Sequence, residues 1–321
     1  MSETQQSMNP SRHFDELPDA PPKRKIRLSW AGKLGIAVLV FWAIIVVIGP
    51  SIAPYHEAEF LEESLFIVPG SDEKYPDTDF QPPSRIVLLG SDYMGRDTLS
   101  RILFGARTTI GISFIATILA YLIGVTLGIA AAVGYRFQYR GFTIIELDTV
   151  LSRLNDALLS IPSIMLGLVM IAALGSTIPL LILLTGIIYA ASVFRIARSL
   201  GQEVMVSDFV EAARVRGEGL WWIITREILP NVAMPLATDF GLRFVWVILF
   251  ISALSFLGLG VQPPMSDWGS MVKENLPGLI YGSVAPLIPS LAIATLTISV
   301  NMIVDDISAQ TGGKLAKRMI S

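Results

Sequence analysis

Residues 157–194 read ALLSIPSIMLGLVMIAALGSTIPLLILLTGIIYAASVF, 38 positions without a charged side chain. As one helix this run would extend roughly 57 Å, nearly twice the ~30 Å hydrocarbon core of a bilayer. Two membrane spans are therefore predicted, separated by the turn-forming Gly175-Ser-Thr-Ile-Pro179. Pro162 falls in the first turn of the earlier span, where proline is tolerated. Arg195 and Arg198 follow at once and mark the end of the later span as cytoplasmic, the side on which basic residues concentrate. The whole chain agrees: of 321 residues, 52% are hydrophobic and 16% charged, and mean hydropathy is +0.60. That is too apolar for an ordinary soluble domain.

Toward the N-terminus, Thr108 to Gly134 is a further uncharged run, read as span two, with Gly111, Gly124, Gly128 and Gly134 near one stripe for close helix packing. Arg136 and Arg140 follow it on the cytoplasmic side, too few basic residues for a nucleic-acid surface. Residues 142–156 form an amphipathic lead-in to span three. The polar, proline-bearing residues 1–22 read as a disordered cytoplasmic tail. Lys23, Arg24, Lys25 and Arg27 then precede the apolar run from Gly35 to Ala53, which is too long for the core of a signal peptide and is taken as span one. Residues 54–104 are a polar insertion carrying Glu57, Glu59, Glu62, Glu63, Asp72, Glu73, Asp77 and Asp79, which places the loop outside. At its end Asp97 is positioned to cap the helix that follows.

Toward the C-terminus the first polar stretch is QEVMVSDFVEAARVRGEGLWWIITREILPN, residues 202–231. Asp208 and Glu211 approximate a capping box, Phe209 to Arg216 form a short helix, and Gly217 stands where a left-handed C-terminal residue is wanted. A second short helix from about Leu220 to Pro230 completes an amphipathic hairpin. It is either a solvated loop or a docking element for a soluble partner. Span five runs from about Val232 to Gly258 and carries Asp239 and Arg243 four apart on one face. Such a candidate intramembrane pair either satisfies itself near the interface or lines a pore or subunit contact. The stretch Ser255 to Met271 is broken by two glycines and Pro263-Pro264, with Trp268 as an interfacial anchor. Span six covers about Val284 to Val304 and returns the C-terminus, with Lys314, Lys317 and Arg318, to the cytoplasm.

Several chemistries are excluded or disfavoured. The chain has no cysteine, so no disulfide or thiolate metal site. Its two histidines, His13 and His56, lie outside the apolar runs, leaving no metal ligand set or histidine base at membrane depth. Gly312-Gly313-Lys314-Leu315 lacks the spacing and the hydroxyl of a phosphate-binding loop. No catalytic residues are predicted and the protein is not expected to be an enzyme.

Three separated motifs carry a resemblance. Glu211-Ala212-Ala213, Gly217 and Leu229-Pro230 resemble the EAA loop of bacterial ABC-importer permeases, with Glu227 where that pattern has an apolar residue. Gly90-Ser-Asp-Tyr-Met-Gly-Arg-Asp-Thr-Leu-Ser-Arg101 is similar to the GTDxxGRD motif of dipeptide, oligopeptide and nickel importer permeases, with Ser91 in place of threonine. Ser255-Phe-Leu-Gly-Leu-Gly-Val-Gln-Pro-Pro, continuing to Trp268-Gly-Ser-Met271, resembles a signature of the second permease type of that subfamily. Ile251 stands where relatives often carry an acid. Asn301-Met-Ile-Val-Asp305 fits the family's Asn-x-x-x-Asp without its usual Asp-Pro ending.

The resemblance implies an all-α polytopic membrane protein with six transmembrane helices and cytoplasmic termini. A periplasmic loop would follow helix 1, and a cytoplasmic coupling-helix loop would join helices 4 and 5. It implies a cytoplasmic tail over residues 1–30, the first transmembrane helix plus periplasmic loop over 31–104, the type-1 transmembrane domain over 105–306 and a second tail over 307–321. It further implies a permease subunit of the bacterial inner membrane, moving peptides, nickel or an opine. A second permease chain, two ATPase subunits and a periplasmic solute-binding protein would be its partners. ATP and magnesium would sit on the ATPases, with no cofactor in this chain. Glu211, Ala212, Ala213 and Gly217 would couple to the ATPase, and Asp92, Gly95, Arg96 and Asp97 would lie at the periplasmic mouth. The alternatives are a self-contained secondary transporter, which calls for repeated halves and buried ion-binding carboxylates, and a membrane scaffold.

Overall fold

A computed structural model describes residues 28–62, 78–134 and 144–320. The expected N-terminal tail and its basic flank, the acidic residues 63–77 and the Arg136–Arg140 turn lie outside the described residues. Among the described residues ten α-helices follow in order: α1 Trp30–Ile52, α2 Thr98–Gly134, α3 Ile144–Leu159, α4 Ser163–Leu174, α5 Ile178–Met205, α6 Asp208–Val215, α7 Leu220–Trp222, α8 Leu229–Phe256, α9 Trp268–Asn275 and α10 Leu287–Ile320. Five helical runs are long and apolar enough to cross a membrane: α1, α2, α5, Leu220–Phe256 and the Leu287–Ala309 part of α10.

Where the sixth span was expected, the chain forms a bent pair, the geometry of a broken span or a re-entrant loop. The axes of α3 and α4 meet at 85° across residues 160–162. α4 has 12 residues, about 18 Å of helix, and is too short to cross a bilayer alone. Pro162, expected inside the first turn of a straight span, is instead the residue that caps α4. Proline has no N–H to donate into a preceding turn, and it drives Ile161 out of the helical region. The helix must stop and restart there.

The hairpin differs in a related way. No second short helix ends at Pro230. The chain runs from Leu220 through a widened π-turn, Ile223–Ile228, into α8. Widening meets the missing Pro230 donor: the Leu229 amide reaches back to the Ile224 carbonyl, and the Asn231 side-chain amide donates to the Glu227 carbonyl at 2.6 Å. The second arm of the hairpin is therefore the root of span five.

α2 and α5 form the most extensive helix pair. Gly124 and Gly128 sit against Val193 and Ala197 of α5, where any side chain would collide. Gly111, expected on the same stripe, faces open space. α1 packs on α10 and α2, and α8 lies among α2, α5 and α10. One apolar core joins Ile112, Ile171, Leu184, Val247 and Leu254, and a second joins Trp42, Ile102, Phe244, Ile248, Trp268 and Leu296. The third lies at the other end of α2 and α5 and is built around the hairpin. The two polar ends of the bundle are thus separated by the length of α2, 37 residues or about 55 Å.

Candidate functional sites at the two ends of the bundle

At the end holding the starts of α2 and α9, a ring of charge is buried. Asp97 caps α2, its Oδ2 accepting from the Ser100 amide at 2.8 Å and the Ser100 hydroxyl at 2.6 Å. Gly95 has φ +69°, a left-handed turn that folds the loop back. Asp92 Oδ1 consequently accepts from the Met94 and Arg96 amides, both at 2.9 Å. Asp92 Oδ2 takes Arg96 Nε at 2.8 Å and Arg101 Nη1 at 2.5 Å. Glu274 of α9 closes the ring, 3.2 Å from Arg96 and 3.0 Å from Arg101. Two positive and two negative groups balance, which is what burial requires. Asp92 is 0%, Arg96 4% and Arg101 1% exposed, so these charges hold protein to protein.

The same unit locks the Ser255–Met271 loop. Asp267 caps α9 by accepting from the Ser270 amide at 3.1 Å, and its other oxygen accepts from the Thr109 hydroxyl at 2.8 Å. Burial pushes its carboxyl above the usual aspartate range, and these hydrogen bonds offset only part of that. Trp268, expected as an interfacial anchor, is fully buried. Its indole donates to the Ile102 carbonyl at 3.1 Å and packs edge-on against Trp42, with ring centroids 4.8 Å apart. A buried indole needs one acceptor and an apolar slot, and α1 and α2 supply both. The two sequence motifs at this end therefore form one structural clasp.

At the opposite end stands the hairpin. Ser207, rather than Asp208, is the capping residue of α6, with extended backbone and no side-chain cap. Its carbonyl accepts the Val210 and Glu211 amides. Asp208 and Glu211 occupy the first turn instead, where negative charge complements the helix dipole. Ala213 and Val210 are fully buried against Met205, Ile223 and Ile228. Glu211 and Ala212 point outward. Gly217 closes the helix at φ +84° with nothing near its Cα face. Around it Phe209, Val215 and Trp221 are exposed at 43%, 84% and 76%, an apolar rim on a helix of only eight residues.

Asp239 and Arg243 pair at 3.4 Å. They stand near the middle of α8 rather than at its end, and Asp239 also accepts from the Tyr121 hydroxyl at 2.5 Å. A fourth polar contact joins helices distant in sequence: Arg198 of α5 forks onto Asp148 of α3 at 2.5 and 2.7 Å. At the α3–α4 break lies a cavity of about 190 Å³ bordered by Pro162, Leu166 and Tyr189.

Glu274, Asn275 and Asp148 were not legible as site residues, because their partners lie 50 to 182 residues away, and Arg101 meets Glu274 across 173 residues. Asp267 had a local signal, an aspartate three before a serine at the start of a short helix. Among the described residues, no cluster of side chains suits a metal ion.

A protein of Brucella suis provisionally named a peptide transport system permease is 36% identical over 226 residues, covering 70% of this chain and 73% of its own. The glutathione transport system permease protein of Pectobacterium atrosepticum is 31% identical, covering 78% of this chain and 81% of its own. The dipeptide transport system permease protein of Alkalihalophilus pseudofirmus is 33% identical, covering 73% and 74%. Residues 124–309 match a family described as binding-protein-dependent transport system inner membrane component. That match takes in α5, α6 and α8, hairpin included, and this multi-pass membrane chain belongs to that family of transport permeases.

Proposed function

We propose that this chain is one of two permease subunits of an ATP-driven importer in the bacterial inner membrane, with peptides as cargo and α6 as its coupling helix. A second permease chain completes the pathway, two partner ATPases hold ATP and magnesium, and a solute-binding protein delivers cargo from outside. The names of the relatives, which speak of peptides, dipeptides and glutathione, support the cargo class.

The observation that carries the reading is the hairpin. Val210 and Ala213 root α6 in the core between α5 and α8, while Phe209, Val215 and Trp221 remain uncovered. A partner that grips this rim moves the ends of two spans together. Coupling requires that the grip persist while the spans exchange two packings. The buried clasp around Asp92 then acts as the rigid outer abutment, with Gly95, Arg96 and Asp97 shaping the mouth from within.

The test is labelled-peptide uptake by cells with and without the chain and its operon, with recovery of an ATPase on the tagged chain. Peptide uptake that disappears with the chain and returns with it is the expected result. Loss of nickel or opine uptake alone reassigns the cargo. A tag beside Gly217 that reads as periplasmic, or the absence of any co-purifying ATPase, sinks the mechanism.

A further inference from the structure

Arg243 occupies a position that the fold does not explain. It lies fourteen residues from Leu229 and thirteen from Phe256, about 20 Å from either end of α8. In the middle of a bilayer a bare guanidinium is costly, and charges found there face protein, water or a pathway. Its pairing is weak. Only Nε meets Asp239, at 3.4 and 3.5 Å to the two oxygens, well beyond the 2.7–2.9 Å of a tight charge-assisted bond. Among the described residues nothing accepts from its Nη atoms. Asp239, by contrast, is already engaged by the Tyr121 hydroxyl and is not free to turn further toward Arg243.

The contrast with the rest of the molecule is informative. Arg101 and Arg96 are ringed by two carboxylates each, and Arg198 makes a two-point fork. Arg243 has one carboxylate, Asp239, and aromatic residues stand nearby on α8. Phe240 packs on Tyr121 and Phe114, and Trp246, one turn on, is 58% exposed. The Arg243 side chain keeps 21% of its surface open. A guanidinium held by its Nε side, with the forked Nη side uncommitted, has the geometry that receives a carboxylate by two parallel bonds.

We infer that Arg243 lines the aqueous translocation path and binds the terminal carboxylate of the passing cargo, with Asp239 and Tyr121 holding it in place. This rests on the proposed peptide cargo, since a peptide carries one free carboxylate at its end. Asp239 is a positioning residue: it keeps Arg243 from swinging to the interface and tempers its hold, so that cargo leaves.

The chain contains no cysteine, so a single Arg243→Cys variant is itself the probe. In the assembled, reconstituted complex it is expected to react with a water-borne sulfonate thiosulfonate reagent and to be protected by trialanine. Uptake of trialanine and of its C-terminal amide is then compared at saturating binding protein. Arg243→Gln should lower kcat/KM for the free acid 10- to 100-fold and for the amide by much less, while Arg243→Lys retains part of the free-acid preference. An unreactive thiol together with unchanged free-acid uptake overturns the inference, as does loss of the partner permease from the purified Arg243→Gln complex, which would make the pair a subunit contact. A wild-type complex that moves no trialanine while Arg243→Cys still reacts overturns the peptide reading, and the cargo half of this inference with it.

Discussion

Arg101, in the first turn of α2, meets Glu274 of α9 at 3.0 Å across 173 residues of sequence. With Asp92 and Arg96 it closes a ring in which every charge has an opposite within reach and all but the partly exposed Glu274 are buried. The ring ties the loop after α1 to the loop after α8, so one end of the bundle behaves as a single block. Removing one member leaves its partners charged and dry. Arg101→Met is expected to destabilise the protein by about 3–5 kcal/mol. Arg101→Lys should recover only part, because one ammonium cannot serve Asp92, Glu274 and Ser266 together. Thermal unfolding in detergent measures both.

Gly217 and Ala213 separate coupling from folding. At φ +84° a β-branched side chain is strained, so Gly217→Val should cost about 1–2 kcal/mol and tilt the end of α6. Ala213→Asp places a carboxylate among Ile223, Ile228 and Met205 and should displace the helix outright. Both variants should reach the membrane yet lose uptake and ATPase recovery. Wild-type values for both readouts in both variants would contradict the coupling role.

The Asp148–Arg198 fork is the polar tie between α3 and α5. Arg198 keeps 30% of its side chain exposed, so solvent screening limits its worth. A double-mutant cycle with Asp148→Asn and Arg198→Gln should give a coupling of about 1 kcal/mol. A coupling near zero would mean that the apolar face of α3 alone holds it.

Asp267 makes stability depend on pH. Its carboxyl binds its proton more tightly in the folded chain than in the unfolded one. Its contribution is therefore complete below the ordinary aspartate pKa of about 3.9 and is lost as pH rises through the elevated folded value. Between those points wild-type unfolding free energy should fall with rising pH, and Asp267→Asn should flatten that slope. Denaturant titrations at several pH values read the difference.

The sequence by itself determined how many apolar runs the chain has, where they turn at Gly175–Pro179, and that Gly217 ends a helix left-handed. These are local matters: hydrocarbon thickness, charge-free length and backbone sterics are written into consecutive residues. Even Asp97 capping α2 follows from a window of four residues. Only the tertiary structure decided that span three is a bent pair, that the second arm of the hairpin is the root of α8, and that Trp268 is interior. It alone brought Arg101 to Glu274 and set Asp239 beside Tyr121. A buried charge is tolerable only when its counter-charge arrives with it, and that arrival depends on how helices far apart in the chain pack side by side.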